Sequence, residues 1–181
     1  MQVLGISGSM RRDGNTAQLV QAVLNGCRSP GIRTEFVSLS GLEIKPCTGC
    51  EKCKEKKECT VVDDDWHGLI GKVIDCEVLV IGSPTYYYDV CGHVKNFMDR
   101  TYSLYHDRTL AGKKAAIVTV HATTGGARAQ ETLEAFLGAH EFSFLGSVIG
   151  KGYHEGEVMN DPGALEGAEE IARKIRSLAK L

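Results

Sequence analysis

The chain is 181 residues long, 43% hydrophobic and 24% charged, with a formal net charge of −2. That length suits one domain with a core large enough to fold without disulfide staples; the composition excludes a disordered chain, and the charge gives no global electrostatic case for nucleic acid or a membrane surface. No apolar run approaches the ~18 residues that span a bilayer, and 21 glycines, above the usual share of about 7%, forecast many tight turns.

Along the chain, short apolar, β-branched runs alternate with longer amphipathic ones. Gln2–Ile6 reads as a strand; with no basic region before it, it does not read as a signal peptide. A helix is expected from about Thr16 to Cys27, a strand over Thr34–Leu39, and a helix over Asp63–Ile74 with acidic residues in its first turn. Val78–Gly82 reads as a buried strand, Val90–Leu104 as a helix, Lys114–His121 as a strand and Ala127–Leu137 as a helix. Phe142–Ile149 is the fifth strand and Ala164–Leu181 the closing helix. The tail Ala179-Lys180-Leu181 lies close to a Ser-Lys-Leu peroxisomal address, although a helix that simply stops is the plainer reading. Five strands alternating with five helices predict an α/β fold: a doubly wound parallel sheet covered on both faces, with right-handed crossovers. One interval breaks this rhythm, residues 40–62, a connection long enough to suggest function.

Ligands of an open α/β sheet bind beyond the carboxyl ends of its strands, and three loops there carry chemistry. The first runs Ser7-Gly8-Ser9-Met10-Arg11-Arg12-Asp13-Gly14-Asn15-Thr16. Hydroxyls, glycines and N–H groups at a helix N-terminus suit a phosphate, with Arg11 or Arg12 as a charge-assisted partner; a solvated, capped turn is the alternative. The loop lacks the lysine of a Walker loop and the three-glycine spacing of a dinucleotide fingerprint. The second runs Gly82-Ser83-Pro84-Thr85-Tyr86-Tyr87-Tyr88-Asp89-Val90. Three adjacent tyrosines cannot all face the core, so at least one should border a cleft and stack on a planar ligand. A β-like continuation with one buried tyrosine is disfavoured by Pro84. The third, His121-Ala122-Thr123-Thr124-Gly125-Gly126, has paired glycines that allow close approach of backbone to ligand; His121 reads as a strand-end residue, not an acid or base.

Ser7-x-Ser9 through Gly14-Asn15-Thr16, then Gly82-Ser83-Pro84-Thr85-Tyr86, then Lys95-Asn96-Phe97-x-Asp99-Arg100 occur in that order. Together they resemble the flavodoxin-like NAD(P)H-dependent FMN reductase family, most strongly over the first hundred or so residues. The resemblance implies a single flavodoxin-like domain over residues 1–181, strand order 2-1-3-4-5, and bound FMN. It puts the FMN phosphate on Ser7, Ser9, Asn15 and Thr16, with Arg11 or Arg12 nearby. It puts the isoalloxazine against Pro84, Thr85, Tyr86 and Tyr87 and against Thr124-Gly125-Gly126. Asp99 and Arg100 look like structural residues closing the third helix as an ion pair, and a homodimer or homotetramer is implied.

Four of the seven cysteines lie in the long interval: Cys47, Cys50, Cys53 and Cys59, spaced C-x2-C-x2-C-x5-C. Such a turn lets three thiolates converge with a fourth just downstream, which suits one [4Fe–4S] cluster. Zinc, a redox disulfide and inert thiols are the alternatives. Within the family the spacing resembles the iron–sulfur flavoproteins. Cys27, Cys76 and Cys91 sit singly and read as core fillers, and the whole set suggests a reducing, cytoplasmic compartment. Five lysines (45, 52, 54, 56, 57) and three glutamates (51, 55, 58) give the loop a side-chain charge of +2. That charge would offset a negative cluster or dock an acidic carrier such as ferredoxin; a plain solvated charged loop is the alternative.

A flavin carries its own chemistry, so no protein acid or base is required. The combination reads as an electron-transfer iron–sulfur flavoprotein that couples a one-electron carrier, or NAD(P)H, to a small-molecule acceptor. The alternatives are a cluster-free NAD(P)H-dependent FMN or quinone reductase, and a non-enzymatic FMN carrier with a structural zinc loop.

Overall fold

The computed structural model describes residues 1–179; the expected extension of the last helix to Leu181 and the final residues of the Ala179-Lys180-Leu181 motif lie outside them. In chain order the elements are β1 (Gln2–Ser7), α1 (Asn15–Gly26), β2 (Arg33–Ser38), α2 (Cys53–Lys56), α3 (Trp66–Asp75) and β3 (Val78–Tyr86). There follow β4 (Asp89–Val90), α4 (Gly92–Arg100), α5 (Tyr102–Tyr105), β5 (Lys114–His121), α6 (Gly126–Ala139), β6 (Ser143–Lys151) and α7 (Pro162–Leu178). Short 3-10 turns occupy Leu39–Gly41 and Glu157–Asn160.

Five strands pair in the order β2-β1-β3-β5-β6, all parallel. This is the expected order, with a sixth, two-residue strand, β4, turned back antiparallel on the end of β3. The alternation of side chains explains the layers. Leu4, Ile6, Leu79, Ile81 and Ile117 face one side and pack with Trp66, Val73, Phe97 and Leu133 of α3, α4 and α6. Val3, Val78, Val80 and Val118 face the other, against Leu19, Val23, Ile171 and Ile175 of α1 and α7. Each such side chain, fully buried, contributes about 1.5–3 kcal/mol.

Three expected boundaries move for identifiable reasons. The third strand does not stop at Gly82 but continues through Pro84 to Tyr86. Its pairing with β1 ends at Ser7 opposite Gly82. Beyond that point one edge of β3 has no parallel neighbour, so a residue without an N–H is tolerated. The helix expected over Val90–Leu104 is divided, because Val90 pairs with Thr85 and α4 starts only at Gly92. At its other end Thr101 donates its hydroxyl to the Met98 carbonyl at 2.6 Å and separates α4 from α5. The helix expected from Asp63 starts at Trp66: Asp64 accepts from the Trp66 N–H at 3.1 Å and Asp65 from the Glu43 N–H at 2.8 Å. The acids brace the entry to the helix instead of forming its first turn.

The turn between β3 and β4 is Tyr87-Tyr88, both left-handed, with φ of 50° and 68°. Two such residues joining a tight hairpin are usually Asn-Gly; each non-glycine costs about 1–2 kcal/mol here. No tyrosine of the triplet is buried, and Tyr87 is 98% exposed.

Thr101 also supports the end of α6. Its only hydroxyl proton goes to Met98, so it accepts from the buried His140 Nε2 at 2.9 Å. Burial holds the His140 pKa below its usual value. A neutral folded imidazole stabilises the protein above the unfolded histidine pKa of about 6.5. The expected result is a loss of stability as pH falls from about 6.5 through the lower folded pKa, with a slope of at most about 1.4 kcal/mol per pH unit. Urea titrations of the wild type and His140→Gln across this range should differ in slope; equal slopes would contradict the assignment.

Among the described residues no helix is long and apolar enough to cross a membrane.

Candidate functional site

The carboxyl edge of the sheet holds a cleft of about 220 Å³, lined by Ser9, Arg11, Asn15, Thr16, Pro84, Thr85, Tyr86, Val120, Ala122, Gly152 and Tyr153. Its floor is set by close backbone approach. The Gly8 N–H donates to the Gly82 carbonyl at 2.8 Å, and a Cβ on Gly8 would collide with Val94. Ser9 is buried and its hydroxyl accepts from the Arg11 N–H at 3.2 Å, which folds the loop back over the start of α1. Gly14 caps α1 without a side-chain acceptor, so the first-turn N–H groups lack the usual Ser, Thr or Asp cap. That arrangement suits an anion. Arg11 stands at the rim, its Nη1 donating to the Tyr153 carbonyl at 3.1 Å.

Seven of the sequence-derived flavin residues therefore share one cleft: Ser9, Arg11, Asn15, Thr16, Pro84, Thr85 and Tyr86. The others stand apart from its lining. Ser7 is fully buried beneath the loop, accepting from the Ser9 N–H at 3.4 Å. Arg12 is exposed, and Tyr87 is at the hairpin tip. Thr124 is exposed. Gly125, with φ of 92°, packs beside Thr85 and Tyr88, while Gly126 packs beside His121 and Ile149. Asn15 spends its amide on structure: Nδ2 donates to the His154 carbonyl at 2.8 Å and Oδ1 accepts from the Val158 N–H at 3.2 Å. One amide N–H and the backbone N–H of Asn15 remain for a ligand at this end. Sequence reasoning quoted Ala122 only as part of the third loop, and it missed Val120, Gly152 and Tyr153. The last two follow β6, and the strand-edge rule applied to a fourth loop would have found them.

The fit of a phosphorylated flavin can be judged from these residues. Thr85 Oγ1, on the cleft wall, is one of two buried side-chain polar atoms without a partner among the described residues; the other is His121 Nδ1. An orphaned hydroxyl, an uncapped helix end and a guanidinium at the rim suit a polar, anionic ligand.

A second cavity, of about 110 Å³, is lined by all four clustered cysteines together with Thr48, Thr60, Asp99, Arg100 and Tyr102, among others. The segment folds by left-handed turns at Gly49, Glu51, Lys57 and Asp63, and Lys57 closes the one-turn helix α2. All four cysteines are free thiols. The N–H of Lys52 and the hydroxyls of Thr48 and Thr60 pull the Cys50 thiol below its usual pKa. Burial pushes the Cys53 thiol up, and the neighbouring Cys59, Cys50 and Cys47 push it further. The sulfurs thus sense one another across one space. Among the described residues no three His, Cys, Asp or Glu side chains stand close enough for a single metal ion. A cluster, which separates its ligand sulfurs, makes a looser demand on spacing.

The expected Asp99–Arg100 ion pair does not form. Asp99 pairs with Lys95 one helical turn back, whereas Arg100 turns inward and pairs with Asp64 at 2.6 Å, both side chains fully buried. Adjacent helical residues point about 100° apart and cannot meet this way. Of the loop lysines, Lys54 pairs with Glu51, Lys57 with Asp107, and Lys45 donates to the Val62 carbonyl. Lys52 and Lys56 have no ion pair among the described residues. Cys27, Cys76 and Cys91 are buried as expected; burial raises the pKa of Cys27 and Cys76 to about 11. Cys91 gives its thiol proton to the Gly8 carbonyl at 3.0 Å, under the first loop.

No residue lines both cavities. The carboxyl-edge cleft lies near the start of α4 and the cysteine cavity at its end; nine residues of helix span about 14 Å. A larger concavity, about 660 Å³, is a groove along Met98, Tyr102, Tyr105, Phe136 and His140, touching the cysteine loop at Cys47 and Gly49.

The sequence pattern of a family described as NADPH-dependent FMN reductase matches residues 1–154. An iron–sulfur flavoprotein of Methanocaldococcus jannaschii is 34% identical, over 100% of this chain and 98% of its own length. One of Archaeoglobus fulgidus is 33% identical, over 97% of this chain and 79% of its own. In three dimensions the chain is similar to a flavodoxin from the domain Archaea, with a TM-score of 0.65 at 15% identity and full coverage of both chains; at that identity the likeness establishes the fold.

Proposed function

The chain belongs to the NADPH-dependent FMN reductase family and is a flavin-dependent oxidoreductase, and from that premise we propose that it is an electron-transfer iron–sulfur flavoprotein. FMN occupies the cleft at the carboxyl edge, and a [4Fe–4S] cluster occupies the cysteine cavity. The cluster exchanges single electrons with a carrier such as a ferredoxin, and FMN couples them to NAD(P)H or a small-molecule acceptor. The observation that carries this reading is the presence of two separate cavities, one lined by all four cysteines and one by the uncapped end of α1. Within one chain the cavities lie about a helix length apart, so a homodimer or homotetramer that sets the cysteine loop of one subunit against the flavin cleft of another would shorten the path. The free, buried thiols fit the reducing conditions of the cytoplasm.

Protein purified anaerobically should carry about four irons with matching sulfide, and one FMN, per chain. FMN without iron would replace this reading with the cluster-free NAD(P)H-dependent reductase. One zinc per chain would replace it with a structural loop.

The cleft also separates the two arginines. Arg11→Ala should weaken FMN binding by about 10–100-fold, the value of a charge-assisted hydrogen bond of about 1.5–3 kcal/mol. Arg12→Ala should leave the affinity within about twofold, since its side chain is not part of the lining. Fluorescence titration of FMN into the apoproteins reads both, and a reversed order would assign the phosphate to Arg12.

A further inference from the structure

On the iron–sulfur reading above, we propose that Arg100 is a positioning residue for the cysteine ligands: it seats the Cys59 thiolate and, through its Nε–H, raises the midpoint potential of the cluster. Arg100 ends α4 with its side chain fully buried. Its Nη1 donates to the Lys45 carbonyl at 3.0 Å and to Asp64 at 2.6 Å, and its Nη2 to the Val61 carbonyl at 2.9 Å. Lys45 precedes the first cysteine and Val61 follows the last, so one guanidinium ties the two ends of the loop together. The group lies over Trp66, with Cζ 4.9 Å from the ring centroid.

These contacts satisfy a structural clamp without Nε. The Nε–H is aimed at Cys59 Sγ, 3.0 Å away. Asp64 already balances the guanidinium charge, so what reaches the sulfur is a directed hydrogen bond and little net field. Such bonds to ligand sulfurs are a known lever on cluster potential. The bond strengthens as negative charge on the thiolate grows. It therefore favours the form carrying one more electron, and no proton need move.

Arg100→Lys removes this bond together with the guanidinium's reach to the two carbonyls, and the two losses are read by different measurements. Lysine keeps the positive charge for Asp64, but a point-like ammonium cannot span Asp64, two carbonyls and a sulfur. The variant is expected to retain iron while its midpoint, followed by EPR-monitored titration, moves to more negative potential. A purely structural role would lower the melting temperature of the metal-free protein and leave the midpoint where it was. Should the variant not fold, wild-type protein grown on isotope-labelled arginine answers the same question. The reduced cluster should then show hyperfine coupling to one arginine nitrogen. Wild-type protein without iron would overturn the cluster reading itself. Iron-loaded protein with neither the coupling nor the shift would overturn the role of Arg100 alone.

Discussion

Asp64→Ala is expected to lower the unfolding free energy by about 3–5 kcal/mol, the usual consequence of leaving one member of a buried ion pair without its partner. Both side chains are inaccessible to solvent, and Asp64 Oδ2 lies 2.6 Å from Arg100 Nη1. Burial raises the cost of ionising Asp64, but donation from Arg100 and from the N–H groups of Lys45 and Trp66 outweighs it and keeps the carboxyl below its usual pKa. The variant leaves a guanidinium in the interior and also releases the Lys45 and Trp66 N–H groups. An exposed pair provides the contrast. Lys57 and Asp107 meet at 2.7 Å with side chains 55% and 43% exposed, and Lys57→Ala should cost about 0–1 kcal/mol. Denaturant titration of the metal-free proteins measures both. With a total stability in the range of about 5–15 kcal/mol, the Asp64 variant should be visibly less stable. A loss below about 1 kcal/mol would mean that water reaches the guanidinium.

The second large effect is expected at the carboxyl-edge cleft, where the proposal seats FMN. Ser9→Asp should weaken FMN binding by about a hundredfold or more, because like charges brought together at a binding surface cost several kcal/mol. Aspartate can accept the Arg11 N–H as the serine hydroxyl does, so the turn over α1 should survive. What changes is the sign of the site: a carboxylate would stand where the proposal puts the phosphate. Riboflavin, which carries no phosphate, serves as the control and should lose far less affinity than FMN. Equal losses for the two ligands would move the phosphate elsewhere.

Much of the fold was legible in the chain because local chemistry and tertiary packing agree there. Val78–Ile81 is apolar at every position and lies in the middle of the sheet, buried on both faces. The loop from Ser7 to Thr16 announced itself by small hydroxyl residues and glycines before an amphipathic run. Tyr153 carries no local signature, a single exposed tyrosine after a strand, and only the strand-edge rule extended to the loop after β6 points to it. The hairpin at Tyr87-Tyr88 was also hidden, because that turn normally requires Asn or Gly and here forms against backbone preference.

By itself the sequence determined the layer order, the candidate ligand edge and the four candidate cysteine ligands. Each of these follows from periodicity, turn chemistry or spacing along the chain. Only the tertiary structure decided the partners of Arg100 and the choice of Arg11 over Arg12 at the cleft. It also decided the separation of the two cavities. Asp64 and Arg100 are 36 residues apart, and Arg11 meets the backbone of Tyr153 across 142. Contacts of that range depend on how packed helices and strands orient a side chain, which no local pattern encodes.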